Sequence, residues 1–150
     1  MHVADPKRID RSPPRAVADD SASELAVRQR AALLPQPDRL LVELLQRNAS
    51  RRQIAEILKL PPGTVCRRIQ RLGKRLHNPI VIVLLDAHCP LEPHVRQIGV
   101  ERLLMDLTIR ELAHKHDRTA TQIKRVLEFI QGWHQGLVDG YQRATRSRNQ

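Results

Sequence analysis

The sequence predicts an all-α protein: two tandem helix-turn-helix (three-helix) units joined by a buried helix, with a disordered N-terminal arm and a basic C-terminal tail. Three observations carry this expectation. Apolar residues recur at spacings of three and four along most of the chain, the period of a helix face. Ser50 with Gln53, and Thr108 with Glu111, each form a capping-box pattern directly before an apolar-periodic run. The two boxes and the residues behind them keep an offset of 58, as two copies of one helical unit would.

Size and charge bound the function. At 150 residues the chain holds one ordinary domain or two small ones, so a large enzyme fold is not expected. Lys and Arg number 26 against 16 Asp and Glu, and residues 38–76 hold ten of those cations with only three carboxylates. A surplus confined to one segment points to a polyanionic partner, whereas evenly spread charge chiefly serves solubility; a merely solvated basic face is the plainer alternative. Cys66 and Cys89 are too few for a disulfide framework and suit a reducing cytoplasm. The first residues lack the apolar core of a signal peptide, and the longest aliphatic run, residues 80–85, is too short to span a bilayer.

Residues 1–20 carry Pro6, Pro13 and Pro14 with few large apolar groups and are expected to be a disordered arm. The first unit spans residues 21–77. It opens with a helical pattern over 21–34, interrupted at Pro35 and Pro37. Asp38 is then placed to cap a support helix reaching about residue 48, with Leu40, Leu41, Leu44 and Leu45 inward. Ser50 caps the next helix from Arg51, whose inner stripe is Ile54, Ala55 and Leu58; small Ala55 lets its neighbour approach closely. Pro61 and Pro62 stop that helix and begin another, because proline suits a first helical position and not an interior one.

Residues 78–93 read as a connecting helix and linker. Asn78 can cap and Pro79 can start a helix over 79–87, while the β-branched content makes a strand the rival, though one with no evident partner. The second unit spans residues 94–135. A support helix over about 94–105 would bury Val95, Ile98 and Leu103; Leu112 and Ala113 repeat Ile54 and Ala55; Asp117 takes the turn; Thr119 and Gln122 offer a further capping box. Ile123, Leu127 and Ile130 then repeat Val65, Ile69 and Leu72, and Trp133 closes the stripe. Residues 136–150, with glycines and Arg143, Arg146 and Arg148, read as a frayed basic tail able to meet phosphates without sequence preference.

On a helical projection of residues 62–75, Val65, Ile69 and Leu72 share one narrow sector with Leu76 beyond, and the cations fall on the rest. Thr64, Arg67, Gln70 and Arg71 are the candidate base readers, since Arg matches guanine and Gln matches adenine through paired hydrogen bonds. Arg51, Arg52, Arg68, Lys74 and Arg75 are the candidate phosphate ligands. In the second unit Thr121, Gln122 and Arg125 are candidate DNA contacts. Glu128 there repels phosphate and Phe129 asks for cover, so a second DNA contact and a protein-contacting or structural role stand level.

Other signals carry less. His88, Cys89 and His94 do not complete a closed metal site, and neither metal nor cofactor is expected. His114 and His116 lie near a helix end, where an imidazolium meets the dipole favourably. Cys66 reads first as a small tolerated side chain and second as an oxidisable position on the DNA-reading helix. No phosphate loop, nucleophile triad or paired-carboxylate pocket is present in the sequence, so no enzymatic activity is expected. Phe129, Trp133 and Tyr141 are too few to stack single strands, which favours duplex DNA.

Residues 34–76 resemble region 4 of the sigma-70 family of bacterial transcription initiation factors. The likeness lies in Leu34-Pro35, in Arg39 and the leucines of the support helix, in Ser50-Arg51-Arg52-Gln53-Ile54-Ala55-Glu56-Ile57-Leu58, and in Pro61-Pro62-Gly63-Thr64-Val65-Cys66-Arg67-Arg68-Ile69. It implies a recognition helix at residues 62–75 that reads a promoter element, and contact with RNA polymerase. Lys59 stands where the family commonly has glycine and Cys66 where it commonly has lysine. No segment resembles the family's region 2, so the implied protein is a stand-alone cytoplasmic, bacterial transcription regulator. Its candidate partners are double-stranded DNA, RNA polymerase and a second copy of the chain, with no membrane. A bipartite DNA-targeting module of a transposase or recombinase, and an interaction adaptor with incidental DNA affinity, are the alternatives.

Overall fold

The computed structural model describes the backbone of residues 16–148 and the side chains of residues 23–148. Residues 1–15 of the expected arm lie outside this range, and its last residues belong to the first helix. Eight helices and no strand occur among the described residues: α1 Ala16–Ala31, α2 Gln36–Gln46, α3 Arg51–Leu58, α4 Pro62–Leu76, α5 Pro79–Leu84, α6 Pro93–Leu103, α7 Ile109–Lys115 and α8 Ala120–Arg148. None is long and apolar enough to cross a membrane.

Local chemistry explains most boundaries. Ser50 Oγ accepts from Gln53 N while Gln53 Oε1 accepts from Ser50 N, and Thr108 with Glu111 repeats both bonds at α7. Thr119 and Gln122 do the same at the start of α8. Asn78 caps α5 by accepting from Ile80 N, with Pro79 in the first turn. Residue pairs 58 apart also share a backbone state: Asn48 and Asp106 (φ 58° and 61°), and Lys59 and Asp117 (φ 53° and 50°), all lie in the left-handed region. Each of the latter two ends its helix, and the next amide turns back five residues, Leu60 to Ala55 O and Arg118 to Ala113 O.

Several expectations are corrected. Asp38 does not cap α2, which begins two residues earlier behind Pro35; it sits in the first turn, where its charge meets Arg75. Leu40 is exposed and Val42 takes the buried place beside Leu41. The connecting segment is helical, but α5 stops at Leu84 and hides only Val81 and Leu84 fully. The expected frayed tail, residues 136–150, is instead helical as far as Arg148, because α8 runs on through Gly136 and Gly140.

The largest departure is α6. Ile98, Gly99, Val100 and Glu101 are four consecutive buried residues, so the second half of this helix is covered all round and has no single inward stripe, while Pro93, His94 and Gln97 in its first half are exposed. It packs on α5, α7 and α8. Ile98 joins Leu112 and Ile123 in a small core, whereas Val100 and Leu104 join a larger one that runs from Ala31 and Leu34 through Leu41, Ile54, Val65, Leu72 and Val81 to Ile130 of α8. The two expected units therefore share apolar packing. Gly99 makes that approach possible: a Cβ there would lie 2.6 Å from Leu84 Cδ1 and 2.9 Å from Ile130 Cδ1.

Gly99→Leu is expected to destabilise the fold by about 1–3 kcal/mol through overpacking. Gly132→Ala, with nothing within 4 Å of the new methyl, is expected to stabilise it by about 0.5–1 kcal/mol. Urea unfolding of the two variants reads both signs.

Candidate nucleic-acid interface

The candidate surface is built on α3, its turn and α4. Ile54 and Ala55 of α3 and Val65, Leu72 and Leu76 of α4 are buried, with Ile69 half-buried, so α4 packs on the rest of the protein through its apolar side. Its fifteen residues include five cations and no Asp or Glu. Arg67, Arg68, Gln70, Arg71 and Lys74 are exposed, and Thr64 is half-buried. Arg67 Nη2 reaches Thr64 Oγ1 at 3.4 Å, a bond long enough to exchange for a ligand. On α3, Arg51 Nη1 lies 3.6 Å from Cys66 Sγ. Arg52 Nε stands 3.8 Å from Glu56 with both side chains largely exposed, a pair that water screens.

Arg75 is corrected. Expected to hold phosphate, it turns inward: Nε donates to Leu104 O at 2.8 Å, and Nη2 donates to Asp38 Oδ2 at 3.0 Å. Its side chain is only 17% exposed. The guanidinium thus ties the end of α4 to the start of α2 and to the last carbonyls of α6, where a cation also meets the negative end of the helix dipole. Arg68 and Arg71 flank it in an open cleft of about 310 Å³ whose other walls include Pro35, Met105 and Asp106. Arg75→Ala is expected to lower stability by about 1–3 kcal/mol, by stranding Asp38 and the Leu104 carbonyl. A thermal melt of the variant beside the parent measures this.

The second unit presents a different surface. Thr121, Gln122 and Arg125 are exposed, as expected, but the Gln122 carbonyl already serves the cap of α8. Glu128 and Phe129 are exposed beside them, Phe129 by 55%. Sequence reasoning missed the ion cluster that braces this unit. Glu101 is buried, and its oxygens meet Lys115 Nζ at 2.6 Å, His116 Nε2 at 2.7 Å and Gln97 Nε2 at 3.0 Å, fixing α6 to the end of α7. His116 is accordingly a partner of a carboxylate as well as the residue closing α7. The available signal was a glutamate directly after the apolar Ile98, Gly99 and Val100.

Burial raises the Glu101 pKa, but the hydrogen bonds from Lys115, His116 and Gln97 and the charge of Lys115 outweigh it, leaving the carboxyl below its ordinary 4.5. A lowered native value means that this group's stabilisation is whole above 4.5 and is lost as the pH falls through the native pKa. Glu101→Gln is therefore expected to weaken the fold at neutral pH and to flatten the loss of stability in acid. Unfolding midpoints of both proteins from pH 7 down to about 3 test this.

Comparison with protein-family models, curated proteins and solved structures returned no match.

Proposed function

We propose that the protein is a sequence-specific, double-stranded-DNA-binding transcription regulator made of two tandem helix-turn-helix units, the first similar to sigma-70 region 4. One observation carries the reading: α4 is packed by an apolar underside while Arg67, Arg68, Gln70, Arg71 and Lys74 are exposed on a helix that itself carries no carboxylate. A helix so mounted can enter the major groove, where Thr64, Arg67, Gln70 and Arg71 are the base readers and Arg68 and Lys74, with Arg51 and Arg52 of α3, are the phosphate ligands. The repeat of caps and left-handed turns at an offset of 58 supports the two-unit description.

For the second unit, exposed Glu128 and Phe129 favour a protein contact, with RNA polymerase as the candidate partner implied by the sequence likeness. Thr121, Gln122 and Arg125 remain its candidate DNA contacts.

The test is selection of a preferred duplex from a random pool, followed by anisotropy titration. Arg71→Ala is expected to lose about 1–3 kcal/mol of discrimination at one base position. Lys74→Ala should weaken all duplexes alike and lessen the salt slope by about one unit. With these four phosphate ligands, affinity should fall roughly a hundredfold from 50 to 200 mM salt. A salt-insensitive complex, or unaltered selectivity in Arg71→Ala, overturns the proposal.

A further inference from the structure

Away from the cationic helix, α1, α5 and α6 enclose a trough made of two adjoining hollows, of about 430 and 360 Å³, which share Leu33 and Leu85. Its apolar surface is open: Leu33 is 43% exposed, Ile82 44% and Leu85 39%. Arg30 of α1 lines one hollow and Arg96 of α6 the other. The Nε of each is buried and has no hydrogen-bond partner among the described residues. Such donors are costly to leave unpaired, and a carboxylate is their strongest complement. Of the two acidic residues lining the trough, Glu101 is held by Lys115, His116 and Gln97, while Asp86 Oδ1 accepts from His88 N at 2.7 Å and the Asp86 backbone carbonyl accepts from Arg96 Nη1 at 3.4 Å.

We propose that this trough receives an acidic amphipathic helix of a protein partner, its apolar face on Leu33, Ile82 and Leu85 and its bordering carboxylates on Arg30 and Arg96. The walls explain why the occupant is helical. No strand occurs among the described residues, so an extended peptide would find no sheet edge to pair with, whereas a helix satisfies its own backbone. The chain's net charge of +10 favours an acidic partner at longer range. This inference is independent of the DNA-binding proposal.

The test uses the full chain, labelled with ¹⁵N, and two synthetic helical peptides with the same leucine face, one bordered by glutamates and the other by lysines. The glutamate peptide is expected to bind with a dissociation constant on the order of 10–100 μM and to shift the amides of Leu33, Ile82 and Leu85. Leu85→Asp should weaken it at least about tenfold. The double variant Arg30→Glu with Arg96→Glu should reverse the preference to the lysine peptide, which a disrupted fold could not do. Absence of binding, equal binding of both peptides, or shifts confined to α4 overturns the proposal. Loss of duplex binding with the peptide preference intact would count against the DNA-binding reading alone.

Discussion

The arrangement of the whole molecule depends on how closely α6 can be approached. A helix surrounded by neighbours needs one side without a side chain, and Gly99 supplies it where Leu84 and Ile130 close in. The helix then serves two cores at once, giving Ile98 to the smaller and Val100 and Leu104 to the larger. Covering its second half all round also buries Glu101, and that charge is tolerable only because three donors from α6 and the end of α7 converge on it. The glycine and the glutamate are thus two consequences of one packing choice.

The same helix governs the cationic surface from a distance. Its terminal carbonyl at Leu104 takes the Arg75 guanidinium, and Asp38 takes the other side of that group. One of the five cations of α4 is thereby converted from a surface charge into a brace, and the other four are left facing outward. An arginine suits this better than a lysine would, because its planar fork reaches two acceptors on different helices together.

Local signals in the sequence were legible wherever one residue determines one bond. Ser50, Thr108, Thr119 and Asn78 cap where their side chains predict, and Pro62 and Pro79 stand in first turns. The exposed and buried sides of α4 also followed from periodicity, since that helix is covered on one side only. Periodicity failed for α6 because its second half, buried on every side, has no stripe to detect. Arg75 and Glu101 were unreadable for a related reason: their partners lie 29, 37, 14 and 15 residues away, and no local pattern encodes such a meeting. The reach of α8 was missed because glycines every fourth residue resemble a helix ending.

Those glycines still shape how α8 behaves. Gly132, Gly136 and Gly140 touch nothing that a side chain would touch, and Leu137 and Tyr141 beyond the core are largely in water. Each such glycine weakens a helix by about 1 kcal/mol relative to alanine, with no tertiary packing there to compensate. The rod is accordingly graded: anchored at Ile123 and Ile130, and progressively easier to unwind toward Arg148. Its far turns form an element whose order a modest binding energy can set, so the length of α8 is adjustable while its root is not.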